Sequence, residues 1–92
     1  MDAMTTKQTA DIPVIRDENL HLRPMQLLTE RATGFQSRVL LTRGKRKADA
    51  KSILDVMMLA SEKGPLHLEA EGDDAEAAVR SIVYLLREEL KI

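Results

Sequence analysis

The sequence predicts an α+β domain with the element order β-α-β-β-α-β-α, its strands antiparallel and its helices gathered on one face of the sheet. Three observations lead there. Short stretches alternate apolar and polar residues and end at glycine or proline, while other stretches carry apolar residues at helical spacing. Helices also account for roughly half of the structured chain, and strands apolar on one side only belong to antiparallel sheets covered on that side.

Taken in order, residues 1–11 (MDAMTTKQTAD) lack apolar periodicity and are expected to form a flexible tail, leaving residues 12–92 as the folded domain. From Ile12 the pattern is strand-like, with Ile12, Val14 and Arg16 on one side and Pro13, Ile15 and Asp17 on the other. A proline at 13 confines that strand to a sheet edge or makes it a strand start. Asp17-Glu18-Asn19 is a polar turn. Pro24 then suits the first turn of a helix, where a missing N–H costs nothing. Met25, Leu28 and Ala32 form its apolar stripe, widened by Leu27. Gly34 stops the helix, and Phe35 is placed for the apolar contact that accompanies such ends.

Residues 35–42 alternate, with Phe35, Ser37, Val39 and Leu41 on one face and Gln36, Arg38, Leu40 and Thr42 on the other. Arg43-Gly44-Lys45 is a hairpin turn, and the chain returns through residues 46–50. Ser52 suits the N-cap of a short helix whose stripe is Ile53, Val56, Met57 and Ala60, ended by Lys63-Gly64-Pro65. Leu66, Leu68 and Ala70 alternate with His67, Glu69 and Glu71 in a last strand. Asp73 and Glu76 make a start like a capping box. Ala75, Ala78, Val79, Ile82, Val83, Leu86 and Leu90 then give the closing helix a continuous apolar face.

Composition narrows the function. A chain of 92 residues is one domain with a modest core. Its net charge of -1 and its single Phe and single Tyr fit neither a phosphate-neutralising nor a base-stacking surface, so no nucleic-acid partner is expected. No cysteine is present, which removes disulfides and thiol chemistry and agrees with a cytoplasmic setting. No apolar run approaches the roughly 20 residues of a membrane span, so no membrane insertion is expected. With two well-separated histidines and no cysteine, no metal-ligand spacing appears, and no cofactor is called for.

The two histidines differ in context. His67 points outward on a strand, as a surface residue of the open sheet face. His21 stands at a turn-to-helix junction, Asn19-Leu20-His21-Leu22-Arg23-Pro24, where free backbone N–H groups and the helix dipole face an anion attached to its ring. Arg23 reaches the same anion with a planar fork of donors. An imidazole that titrates near neutrality is a competent phosphoryl acceptor. Read locally, the same residues also suit an exposed cap beside a surface arginine.

Leu20-His21-Leu22-Arg23-Pro24 resembles the G-L-H-A-R-P signature of HPr, the small phosphocarrier family of the bacterial phosphotransferase system. Ala32-Thr33-Gly34-Phe35 looks like the family's helix end. Residues 51–59 (KSILDVMML) are similar to its K-S-I-x-x-V-M-x-L segment, and residues 70–79 (AEGDDAEAAV) to the approach to its last helix. The blocks keep family spacing over about residues 12–90. The resemblance implies an open-faced β-sandwich, four antiparallel strands under three helices. It implies that His21 takes phosphate on Nδ1 from enzyme I, charged by phosphoenolpyruvate, and hands it to an enzyme IIA-type acceptor. Arg23 is then the residue that steadies the phosphate, and the chain is a carrier rather than a self-contained enzyme.

By the same resemblance Ser52 matches a regulatory serine, modified by an HPr kinase/phosphorylase, and Leu22, Gln26, Ile53, Leu54 and Met57 form the partner-binding patch. A monomer is expected. Leu54 lies off the apolar stripe of its helix, so its exposure calls for a docking role. Three residues depart from the family pattern: Asn19 for a glycine, Leu22 for a smaller residue, and Glu30 where lysine is common. They bear on partner choice, in sugar uptake or in a regulatory relay. The competing reading is a non-transferring regulatory module that binds through Leu54 and Met57 and is switched at Ser52.

Overall fold

Alternation in the strands and period in the helices organise the chain as β1 (Thr6–Ile12), α1 (Leu22–Thr33), β2 (Arg38–Arg43), β3 (Arg46–Asp49), α2 (Ile53–Met58), β4 (Leu66–Gly72) and α3 (Ala75–Tyr84). The computed structural model describes residues 6–13 and 15–92. Short 3-10 turns occupy Asp17–Asn19 and Leu59–Ser61, and a π-helical turn, Leu85–Glu89, extends α3.

The strands form one antiparallel sheet in the order β1-β4-β2-β3. Its register sets Leu41 opposite Leu68 and Val39 opposite Ala70, so the inward residues of neighbouring strands meet on one face. Against that face pack Met25, Leu28 and Ala32 of α1, Val56 of α2, and Ala75, Ala78 and Ile82 of α3. Each large apolar side chain withdrawn from water here contributes about 1.5–3 kcal/mol. The other face stays open, and there His67 Nδ1 lies 2.6 Å from the Asp11 carboxylate, its cross-strand partner.

The first strand corrects the sequence reading. The chain is already in a strand by Thr6, inside the expected tail, and that strand ends at Ile12 instead of starting there. Its inward positions are Gln8, Ala10 and Ile12, too weakly apolar to announce a strand. Backbone pairing with β4 supplies the order, and an edge strand needs to bury little. Residues 1–5 of that tail and Val14 lie outside the described residues.

Three smaller expectations also change. Residues 35–37 form a loop ahead of β2, because the Asp74 carboxylate accepts from the N–H groups of Gln36 and Ser37, at 2.8 and 2.9 Å, and from the Ser37 hydroxyl. The expected capping box of Asp73 and Glu76 is not formed: the N-cap of α3 is Asp74, one residue later, and its side chain makes no bond to the helix. The Asp74 carboxyl is held below its ordinary 3.8, first by the Ser37 hydroxyl and then by the Gln36 N–H. Finally, Ala60 is exposed and Leu59 is buried in its place, because α2 tightens into a 3-10 turn that shifts the stripe by one residue.

Candidate functional site

His21 is the N-cap of α1, in extended backbone conformation (φ -118°, ψ -178°), with its carbonyl accepting from Met25 N at 3.2 Å. Its ring does not cap the helix, and the residue is exposed. Leu22 and Arg23 have backbone N–H groups in the first turn, which lacks intrahelical acceptors; Pro24, buried behind them, has no donor at all. No acidic side chain lies in that first turn. Its positive dipole end is therefore uncancelled by its own residues. The exposed guanidinium of Arg23 is two residues from the ring, and among the described residues it has no ion pair. A nucleophilic ring, two amides and a cation are thus left open to an external anion.

Ser52 is the N-cap of α2, and its hydroxyl accepts from Asp55 N at 3.3 Å. The two helices pack side by side. Leu22, 52% exposed, and Gln26 stand on α1; Leu54, 77% exposed, and Met58 stand out on α2. Ile53 and Met57 are half-buried against the core, so they belong to it as much as to any outer patch. Glu30 is exposed further along α1.

The turn before His21 is held by residues that sequence reading passed over. Arg43, the last residue of β2, is 3% exposed. Its Nε donates to the Gly64 carbonyl at 2.9 Å, Nη1 to the Leu59 carbonyl at 3.2 Å, and Nη2 to Asp17 Oδ1 at 2.6 Å. Lys63 Nζ stands 3.8 Å from the other Asp17 oxygen. These cations hold the Asp17 carboxyl below its ordinary 3.8, the Arg43 hydrogen bond first, against the opposing effect of desolvation. Asn19 donates through Nδ2 to the Lys91 carbonyl at 2.8 Å. The signal for Arg43 was present: it continues the inward alternation of Val39 and Leu41, and a cation on a buried face requires a partner.

Among the described residues no cluster of three His, Asp or Glu could hold a metal ion, and no helix is long and apolar enough to cross a membrane.

Comparison with known proteins points the same way. A family model described as the PTS HPr component phosphorylation site matches residues 8–88. The phosphocarrier protein HPr of Cupriavidus necator is 39% identical over 77 residues, which cover 83% of this chain and 86% of that one. Among solved structures, the histidine-containing phosphocarrier protein of Mycoplasma is similar with a TM-score of 0.83 at 26% identity, covering 92% of this chain and 98% of that one. Crh, the catabolite repression HPr of Bacillus subtilis, is similar with a TM-score of 0.68 at 30% identity, over 91% of this chain and 99% of that one.

Proposed function

The chain belongs to the HPr family of phosphocarriers of the phosphotransferase system, and on that premise we propose that His21 accepts a phosphoryl group from enzyme I and passes it to an enzyme IIA-type acceptor. The observation that carries this reading is the open start of α1: an exposed, uncapping histidine, two free amides, no acid in the first turn, and Arg23 alongside.

The neutral ring attacks phosphorus through the Nδ1 lone pair, the bond from phosphorus to the donor breaks with its electron pair returning to the donor, and the Nε2 proton stays in place. Charge on the transferring group falls within reach of the Leu22 and Arg23 amides and of the Arg23 guanidinium, which act electrostatically and need no rearrangement. The same step in reverse, toward a nucleophile of the acceptor, unloads the carrier. The protein is thus a relay, charged and discharged by its partners. Leu22, Gln26, Ile53, Leu54 and Met57 are the proposed docking residues for both. An HPr kinase/phosphorylase is the proposed regulator: phosphate on Ser52 would add about two negative charges beside Ile53 and Leu54 and repel an acidic partner. Function in the cytoplasm follows from that partnership.

Incubation with enzyme I and phosphoenolpyruvate, followed by mapping of the modified residue, tests the reading. The expected product is one acid-labile, base-stable phosphate on His21. A label elsewhere, or full labelling of His21→Ala, would overturn it.

A further inference from the structure

We propose that Asp17 is a positioning residue for phosphoryl transfer at His21, holding the turn that presents the ring through its hydrogen bond to the buried Arg43 guanidinium; this rests on His21 being the acceptor.

The starting observation is a cost. Arg43 occupies an inward position of β2 where an aliphatic residue would fit the alternation, and burying a guanidinium is expensive unless its donors are met. Replacing such a pair by apolar residues is often neutral or stabilising, so core stability alone does not account for it. Its donors are met in a particular way. Two of them are fixed on backbone carbonyls, Gly64 and Leu59, which belong to the segment between α2 and β4. The third is aimed outward at Asp17. The guanidinium is thus immobilised from behind and offers its front to the turn at Asp17–Asn19.

That turn leads straight into the site. Only Glu18, Asn19 and Leu20 separate Asp17 from His21. Asn19 N bonds to the Arg16 carbonyl at 2.9 Å and Leu20 N to the Asp17 carbonyl at 3.0 Å, which makes the turn a stiff unit. Leu20 packs against the core, and Asn19 Nδ2 ties the far side to Lys91. The His21 side chain, by contrast, makes no capping bond of its own. Its ring is therefore placed by the backbone, and the backbone is placed by Asp17. A displacement of about 1 Å at a reacting atom costs up to about 100-fold in rate.

Steady-state phosphorylation by enzyme I and phosphoenolpyruvate separates this role from a merely structural one. Asp17→Ala is expected to lower kcat about 10-fold while KM for the carrier stays within about twofold. The ring resonances of His21 are expected to shift and broaden. Asp17→Asn retains an oxygen that accepts from Arg43, and it should recover kcat to within about twofold of the unsubstituted protein. Circular dichroism at the assay temperature establishes that each variant is folded. Should Asp17→Ala leave Arg43 unpaired and unfold the chain, Asp17→Ala/Arg43→Met removes both charges and is expected to show the same loss of kcat. Wild-type rates in the folded Asp17→Ala or double variant would overturn the inference, as would an Asp17→Asn rate as low as that of Asp17→Ala. Either result, with the unsubstituted protein labelled at His21, leaves the acceptor reading standing. An unlabelled wild-type protein would sink both.

Discussion

The first turns of α1 and α2 present the same kind of backbone donors on neighbouring helices, yet they dispose of them in opposite ways. At α2 the Ser52 hydroxyl accepts from Asp55 N, and Asp55 brings a negative charge into the first turn while its carboxylate accepts from Asp49 N at 3.1 Å. That helix start is closed by its own side chains. At α1 the capping backbone is equally extended, but the His21 ring makes no bond to the helix and no acid is present. A closed start is a structural joint; an open one is a place where something from outside completes the turn. The difference supports the proposed chemistry at His21 and gives Ser52, first of all, an architectural role.

Removing the ring should break the comparison most completely. His21→Ala is expected to abolish labelling from phosphoenolpyruvate and enzyme I while leaving Tm nearly unchanged, because an exposed, uncapping side chain holds nothing together. A large drop in Tm would mean that His21 is a structural cap after all. Arg23→Ala comes next. Losing one charge-assisted partner of the transferring group should slow transfer by about 10- to 100-fold, again without a stability cost. Transfer kinetics beside a urea unfolding curve give both answers. An unaltered rate would show that the two amides suffice.

How much of this was readable beforehand depends on where the information resides. The α1 stripe of Met25, Leu28 and Ala32, the Ser52 cap and the alternation of Leu66, Leu68 and Ala70 are local, and each was found as read. The position of His21 and Arg23 at the start of α1 was likewise legible, since the proposed site is built from consecutive residues. What escaped was non-local. The strand at Thr6–Ile12 is recruited by pairing with β4, far along the chain, and has little apolar pattern of its own. Asp73 reads as the cap of α3 in sequence, but the N-cap is Asp74, and its carboxylate serves the Gln36-Ser37 loop, where Gly72 permits the approach: a Cβ there would come within 2.8 Å of Ser37 Cα. The Asp17–Arg43 tether crosses from a loop to the end of a strand, and only the inward parity of Arg43 hinted at it.

Opening the closed helix should have a different and smaller consequence. Ser52→Ala leaves the Asp55 N–H without its acceptor and is expected to cost about 1 kcal/mol. For a domain of this size that is a fall of about 4–8 °C in Tm. Transfer to His21 should proceed at the wild-type rate, because the lost bond belongs to α2 alone. If Ser52→Ala slowed transfer as strongly as Arg23→Ala, the two helix starts would be functionally coupled and the contrast between them would fail.

The start of α3 provides a third case, and its test is in acid. Asp74 stands at the N-cap position, but its carboxylate is committed to three donors of the Gln36-Ser37 loop, which hold it ionised below its ordinary 3.8. Folding therefore favours the deprotonated form. The stabilisation is complete where the unfolded carboxyl is also ionised, above 3.8, and is lost as pH falls through the lower folded value. Asp17 behaves in the same direction, so the protein as a whole is expected to weaken in that window. Comparing urea unfolding of the unsubstituted chain with Asp74→Ala at a series of pH values isolates the Asp74 share. The gap between the two should be widest near neutrality and should narrow steadily as pH drops from about 4 toward 2, while transfer to His21 near pH 7 is the same in both. A gap that stays constant through that range would mean that Asp74 holds the loop to the same extent whether or not it is charged, and that ionisation of its carboxylate contributes nothing.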